Sequence, residues 1–157
     1  MPKPTIPRPP IRKAEIADLP AIVQIERSRF SHPWKEHQYA EEIDNPLARL
    51  WVAEESDLSS IAGYILFLHL ANEIELLKVA VAPEWSRCGI GESLLRQLLE
   101  FAREKRVLTI LLEVRATNEA AIALYTKLNF HPSGRRRGYY TNPPEDALLF
   151  RRDIQLP

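Results

Sequence analysis

The sequence predicts a mixed α/β fold, a sheet of about seven strands flanked by four helices. Three observations predict it. The apolar pattern changes period along the chain in the order β-α-α-β-β-β-α-β-α-β-β. Helices come early, a strand meander fills the middle, and strand and helix alternate late, as in a mixed sheet covered by helices. Residues 75–114 read strand–helix–strand, which calls for a right-handed crossover between parallel strands.

The elements follow in order. The basic, proline-rich start (1–9) has no apolar run and reads as an extended tail ahead of a single domain over 10–157. Residues 12–14 end a first strand. Asp18 is a residue type that caps helices, here one carrying Leu19, Ile22, Val23, Ile25 and Glu26 to about residue 30. Pro33 in "SHPW" (31–34) interrupts it, and a second helix with Tyr39 and Ile43 on its apolar face runs to Asn45-Pro46. "LWVAEE" (50–55) is a short strand and "DLSS" (57–60) a turn. "IAGYILFLHLA" (61–71) and "EIELLKVAV" (73–81) are long strands joined by a tight turn near Asn72. The first of these is too short for a membrane span, which needs about 20 residues. Ile90, Leu94, Leu95, Leu98, Leu99 and Ala102 mark an amphipathic helix over 89–106. "VLTILLEV" (107–114) suits a strand buried on both faces. A fourth helix covers 118–127, "NFHPSGRRRGYY" (129–140) is a strand leading into a loop, and "DALLFRRDI" (146–154) is the last strand.

Composition narrows the function. Basic and acidic residues balance at 21 each, so no bulk charge argues for nucleic acid and recognition must be local. The single cysteine, Cys88, excludes an intramolecular disulfide and fits a reducing, cytoplasmic setting.

The chemistry-bearing stretch begins at "VAVAPEWSRCGIGESLL" (79–95). A strand ends, Pro83 stops its ladder, and Arg87-Cys88-Gly89-Ile90-Gly91 enters a helix. Free N–H groups at a helix start favour an anion, and Arg87 adds a charged donor suited to phosphate. Two glycines before a helix also suit a plain turn. The pattern is not a Rossmann fingerprint, because Leu94 stands where a third glycine belongs, and no Gly-Lys-Ser/Thr makes it a P-loop. Cys88 reads as a small loop residue rather than a nucleophile.

These residues resemble the GNAT family of acetyl-CoA-dependent N-acetyltransferases. Its signature, Q/R-x-x-G-x-G/A after a strand ending in V-x-P, here reads Ser86-Arg87-Cys88-Gly89-Ile90-Gly91 after "VAVAP". "LEVRATNEAAIALYTKLNF" (112–130), "RRGYY" and "EDALLF" are similar to the RimI-type branch, which acetylates the N-terminal alanine of a small-subunit ribosomal protein. The resemblance covers about residues 10–153. Ser86 departs from the usual Gln or Arg, and the proline-rich tail has no counterpart.

The resemblance implies a mostly antiparallel GNAT-like sheet whose central parallel strand pair splays for CoA. It implies Glu113 as general base, through a water, and Tyr125 as general acid. Acetyl-CoA contacts are implied at Val79, Ala80 and Val81, along Arg87, Cys88, Gly89, Ile90, Gly91 and Glu92, and at Asn118, which would hold the pantetheine arm. No metal is called for. Trp34, in the "SHPW" loop, and Tyr139 and Tyr140 would shape the acceptor groove. The implied partner is the N-terminus of an acceptor protein such as a ribosomal protein, without direct nucleic acid or membrane, for a monomer or weak dimer.

The residues are compatible with these roles. Glu113 ends a strand, where open α/β sheets place their sites. Asn118, Ile122 and Tyr125 are spaced to share one helix face. The oxyanion is expected on a backbone N–H of 79–81. An α-amine of pKa near 8 is roughly 10–15% neutral at pH 7, whereas a lysine of pKa ~10.4 is only about 0.04% neutral, so a modest base suits the α-amine. A thiol near 8.5 and a phenol near 10 leave the proton transfer roughly 2 kcal/mol uphill.

Other readings of the same residues stand beside these. Glu113 also suits a solvated charge paired with Arg115, Tyr125 suits core packing, and Tyr139 and Tyr140 suit a packing lid. Glu26, Glu41, Glu42 and Asp44 suit solvated helix faces, or a surface attracting a basic acceptor. Arg135, Arg136 and Arg137 would repel a basic peptide unless they point away or meet a CoA phosphate. A lysine side chain or small amine is the alternative acceptor. A CoA-binding protein without turnover is the alternative from another class, and the presence of both Glu113 and Tyr125 argues against it.

Overall fold

The computed structural model describes residues 9–55 and 60–156, so the tail at 1–8 and most of the expected "DLSS" turn lie outside it. The elements are β1 (Ile11–Lys13), α1 (Leu19–Arg29), α2 (Glu36–Asp44), β2 (Ala48–Glu54), β3 (Ile61–Leu70), β4 (Glu73–Val81), α3 (Ile90–Glu104), β5 (Thr109–Arg115), α4 (Glu119–Lys127), β6 (His131–Tyr140) and β7 (Glu145–Asp153). Their order is the one the sequence predicts. The strands form one seven-stranded sheet in the order β1-β2-β3-β4-β5-β7-β6. β4 and β5 pair in parallel from Glu73↔Thr109 to Leu76↔Leu112. β1 with β2, β2 with β3, β5 with β7 and β6 with β7 are antiparallel. Among the described residues no helix is long and apolar enough to cross a membrane.

The chain divides into two compact units, one holding the described residues up to Leu68 with Lys78–Leu98, the other His69–Leu77 and the described residues from Leu99 onward. In the first unit Pro20 opens α1 near its first position, where a missing N–H costs nothing. Its stripe of Leu19, Ile22, Val23 and Ile25 is buried, as are Tyr64, Ile65 and Phe67 of β3 and Ile90, Leu94, Leu95 and Leu98 of α3. A Cβ at Gly63 would stand 2.8 Å from the Ala80 carbonyl oxygen and 3.0 Å from Ile90 Cγ2, so the start of α3 packs against bare backbone there. Asp18 does not cap α1 with its side chain. Arg12 grips that carboxylate through Nη1 and Nη2 at 2.7 and 2.8 Å, and the Glu15 N–H donates to it at 2.7 Å. A nearby guanidinium competes successfully for an oxygen that could otherwise cap.

In the second unit two expectations need correction. β5 is not buried on both faces: Ile110, Leu112 and Val114 are buried, while the alternate residues Leu111, Glu113 and Arg115 are exposed or half-buried. Leucine on the outer side conceals this period of two from a sequence reading. The segment after His131 does not become a loop; β6 continues as a strand through Tyr140, exposed or half-buried along its length. It is the sheet edge, next to β7 alone, with irregularities in register between Pro132 and Gly134 and between Arg136 and Tyr140. An edge strand held by backbone pairing needs no apolar alternation, and its Pro132 is tolerated at an edge.

Candidate active site

The glycine loop belongs to the first unit. After β4 the chain makes a short 3-10 turn at Pro83–Trp85, then enters α3 at Ile90. Arg87 and Gly89 both have positive φ, 60° and 82°, and Cys88 between them is fully buried. Burial of Cys88 agrees with its reading as a loop residue. The Ser93 N–H makes a helical bond to the Gly89 carbonyl at 3.0 Å. The amides of Ile90, Gly91 and Glu92 precede that bond, so the helix itself offers them no carbonyl. A turned backbone, orphan amides and the exposed Arg87 suit an anion such as a pyrophosphate. Glu92 forms an i,i+4 pair with Arg96 at 3.1 Å. Val79 and Val81 are half-buried near the end of β4, with Ala80 buried between them.

The first unit also holds a buried carboxylate that the sequence left on a helix surface. Glu26 is fully buried. The Trp34 N–H donates to it at 2.9 Å, Lys78 Nζ at 2.8 Å and the Tyr39 hydroxyl at 2.5 Å, and the Tyr64 hydroxyl also meets Oε1. Burial alone pushes Glu26 up, but the hydrogen bonds from Lys78, Trp34 and the two tyrosines outweigh it and hold the carboxyl below its usual range. Burial pushes both phenols far above the ordinary tyrosine value. Lys78 Nζ also sits 4.3 Å from the Phe30 ring centre and 5.2 Å from that of Trp34. The half-buried Trp34 packs on Tyr39 at 5.2 Å. Glu26 is therefore neither a solvated charge nor an open attractant.

The second unit gathers Glu113, Tyr125, Tyr139 and Tyr140. Glu113 is the first β5 residue beyond the parallel register with β4, and lies opposite Leu149 of β7. Its side chain is 31% exposed, and Arg136 Nε forms an ion pair with its Oε1 at 3.1 Å. Glu113 does not pair with Arg115, which binds Glu145 at 3.2 Å instead. The charge of Glu113 is the main cause raising the Tyr139 phenol. Burial, then Glu113, raises Tyr140. The two tyrosine rings meet edge to face at 5.1 Å, and the Arg115 guanidinium lies 4.1 Å from the Tyr140 ring centre. Tyr125 is buried against Phe130 and Phe150, at 5.7 and 6.4 Å between ring centres. Burial, then its neighbour Tyr140, pushes its phenol well above the ordinary value. Tyr139 and Tyr140 thus close the β6 edge strand beside the carboxylate.

Asn118 sits just before α4, as its N-cap, where Oδ1 accepts from the Ala121 N–H at 3.2 Å. Of the three arginines, Arg136 pairs with Glu113 and Arg135 with Asp146 at 2.7 Å. Their repulsion toward a basic peptide is reduced accordingly. Sequence reasoning missed the Arg136 partnership because it is made across the sheet, from β6 past β7 to β5.

The acetyltransferase (GNAT) family model matches residues 19–130. The chain is 34% identical over 148 residues to the [ribosomal protein bS18]-alanine N-acetyltransferase of Escherichia coli strain K12, covering 93% of this chain and 98% of that one. It is similar to the crystal structure of the Escherichia coli ribosomal-protein-S18-alanine N-acetyltransferase at TM-score 0.86 and 33% identity, over 94% and 95% of the two chains. The fold is shared with Arabidopsis thaliana NAA60 in complex with acetyl-CoA, at TM-score 0.83 and 19% identity, over 92% and 98% of the chains. With the seven-stranded mixed sheet, the glycine loop and this match in hand, the chain belongs to the GNAT family of acetyl-CoA-dependent N-acetyltransferases.

Proposed function

We propose that this chain acetylates the N-terminal α-amine of a protein, the N-terminal alanine of a small-subunit ribosomal protein, with acetyl-CoA as donor. The observation that carries the reading is Glu113, two residues before the end of β5 with its side chain 31% exposed, in the same unit as the buried Tyr125. Similarity to alanine N-acetyltransferases over nearly the whole chain supports the choice of acceptor. The whole of 10–157 acts as one catalytic domain in this reading.

The donor's pyrophosphate is assigned to the loop of Arg87, Cys88, Gly89, Ile90, Gly91 and Glu92. Its thioester carbonyl is assigned to the backbone of Val79, Ala80 and Val81, and its pantetheine arm to Asn118. The Asn118 carbonyl oxygen caps α4, so its amide group is the part left for a ligand. Glu113, through a water, takes the proton that the amine loses as nitrogen bonds the acetyl carbon. The carbon–sulfur bond breaks, and Tyr125 gives its proton to the departing thiolate. Trp34, Tyr139 and Tyr140 border the acceptor. Trp34 does so from a position fixed by Tyr39 and the Glu26 network.

A thiol-release assay with acetyl-CoA tests the reading, using an alanine-starting peptide against an N-blocked peptide carrying one lysine. The expected outcome is a kcat/KM at least about tenfold higher for the free alanine terminus, in the direction set by the neutral-amine fractions. Equal or inverted preference would overturn the acceptor, and no release with either peptide or with small amines would overturn the activity.

A further inference from the structure

Ser86 stands where the family carries Gln or Arg, and the structure shows what surrounds it. Arg29, the last residue of α1, donates from Nη2 to Ser86 Oγ at 2.6 Å and from Nε to the Val81 carbonyl at 2.8 Å. Ser86 Oγ in turn donates to the Pro83 carbonyl at 2.8 Å. The Ala82 N–H pairs with Ala62 of β3 at 2.8 Å, so the Val81 carbonyl, across the same peptide plane, points to the opposite edge of β4. Arg29 therefore ties the end of β4 to Ser86, at the start of the glycine loop. Its side chain is exposed, and among the described residues no carboxylate is paired with it. Two of its five N–H groups are used by these bonds, which leaves three aimed elsewhere.

We propose that Arg29 is the cation that serves the glycine loop in place of the missing Gln or Arg at position 86, positioning the loop and offering charge to a phosphate of acetyl-CoA. This rests on the assignment of that loop to the donor. Arg87 lies one residue further on, so the loop entrance carries two guanidinium groups from different elements. A guanidinium tied by only two neutral acceptors retains its full charge, and phosphate is the anion whose geometry matches its fork. Ser86 is then an adaptor: its hydroxyl accepts from Arg29 and donates to the Pro83 carbonyl.

Isothermal titration tests this with CoA and with pantetheine, which lacks every phosphate, on the wild type, Arg29→Ala and Arg29→Gln. Both variants are expected to lose about tenfold in CoA affinity, the scale of a hydrogen bond to a charged group, with pantetheine affinity unchanged. The wild type should lose CoA affinity with added salt more steeply than either variant. In steady state, KM for acetyl-CoA rises and kcat holds. Unchanged or tighter CoA binding in Arg29→Ala would overturn the proposal. Equal losses for CoA and pantetheine would overturn it too, by reducing Arg29 to a structural tie, as would wild-type CoA affinity in Arg29→Gln. A wild type that binds no CoA would instead overturn the assignment of the loop, a separate result.

Discussion

Tyr125 illustrates how burial alters the chemistry expected of a residue. A free phenol lies about 1.5 units above a thiol, so proton transfer to a thiolate is roughly 2 kcal/mol uphill. Burial against Phe130 and Phe150 raises the phenol further, so the transfer is steeper than free side chains suggest. The same burial keeps Tyr125 protonated through the working pH range, as the proposed general acid must be. Tyr125→Phe is expected to lower kcat by at least about tenfold, and Glu113→Gln by about 100-fold or more, with acetyl-CoA affinity kept by both. Unchanged turnover in either variant removes that residue from its role. Glu113 and Tyr125 were legible in sequence as candidates, through the family resemblance carried by residues 112–130. Arg136 was not, because its contact with Glu113 is made across the sheet through β7.

At the scale of elements, two features hold the first unit's working parts in register. Gly63 lets α3 start directly over β3 and β4. A methyl group there would meet the Ala80 carbonyl oxygen at 2.8 Å, and backbone cannot rotate away as a side chain can. Gly63→Ala is expected to destabilise by about 1–3 kcal/mol, the usual cost of overpacking, and to weaken CoA binding by displacing the loop that follows β4. Denaturant unfolding and titration calorimetry read the two effects separately. The second feature is the pair of Lys78 on β4 with Glu26 on α1. Lys78→Met strands a fully buried carboxylate, at a cost of about 3–5 kcal/mol. Glu26→Gln is expected to cost less, because the Lys78 side chain is 15% exposed and its ammonium can reach water. An equal cost for both would contradict this asymmetry. Neither feature was read from sequence: Glu26 follows the helical period, but its fate depends on partners from β3, β4 and α2.

The whole molecule responds to pH through groups whose shifts have opposite sign. Burial raises Tyr39, Tyr64 and Tyr125 in the folded state. Their contribution is whole below about pH 10, the unfolded phenol value, and is lost as pH rises toward their folded values. The Arg12 hydrogen bonds lower Asp18, and the network of Lys78, Trp34 and the tyrosines lowers Glu26 against its burial. Their contribution is whole above about pH 4, the unfolded carboxyl value, and is lost as pH falls through the lower folded values. Denaturant unfolding should thus show stability falling above about pH 10 and below about pH 4. Single substitutions Tyr39→Phe and Asp18→Asn should flatten the alkaline and acid limbs respectively; unaltered limbs would count against these assignments.

Period, punctuation and motif are properties of neighbouring residues, and they determined the order of strands and helices, the parallel pair and the loop of Arg87 to Gly91. The family resemblance added Glu113 and Tyr125 as candidates. Partnership across distant segments was decided by tertiary structure alone. It buried Glu26, turned Asp18 toward Arg12, made β6 a strand, gave Glu113 to Arg136 rather than to Arg115, and brought Arg29 to Ser86. The physical reason is one of range. A hydrogen bond or ion pair acts over a few ångströms, and only folding brings Arg29 that close to Ser86.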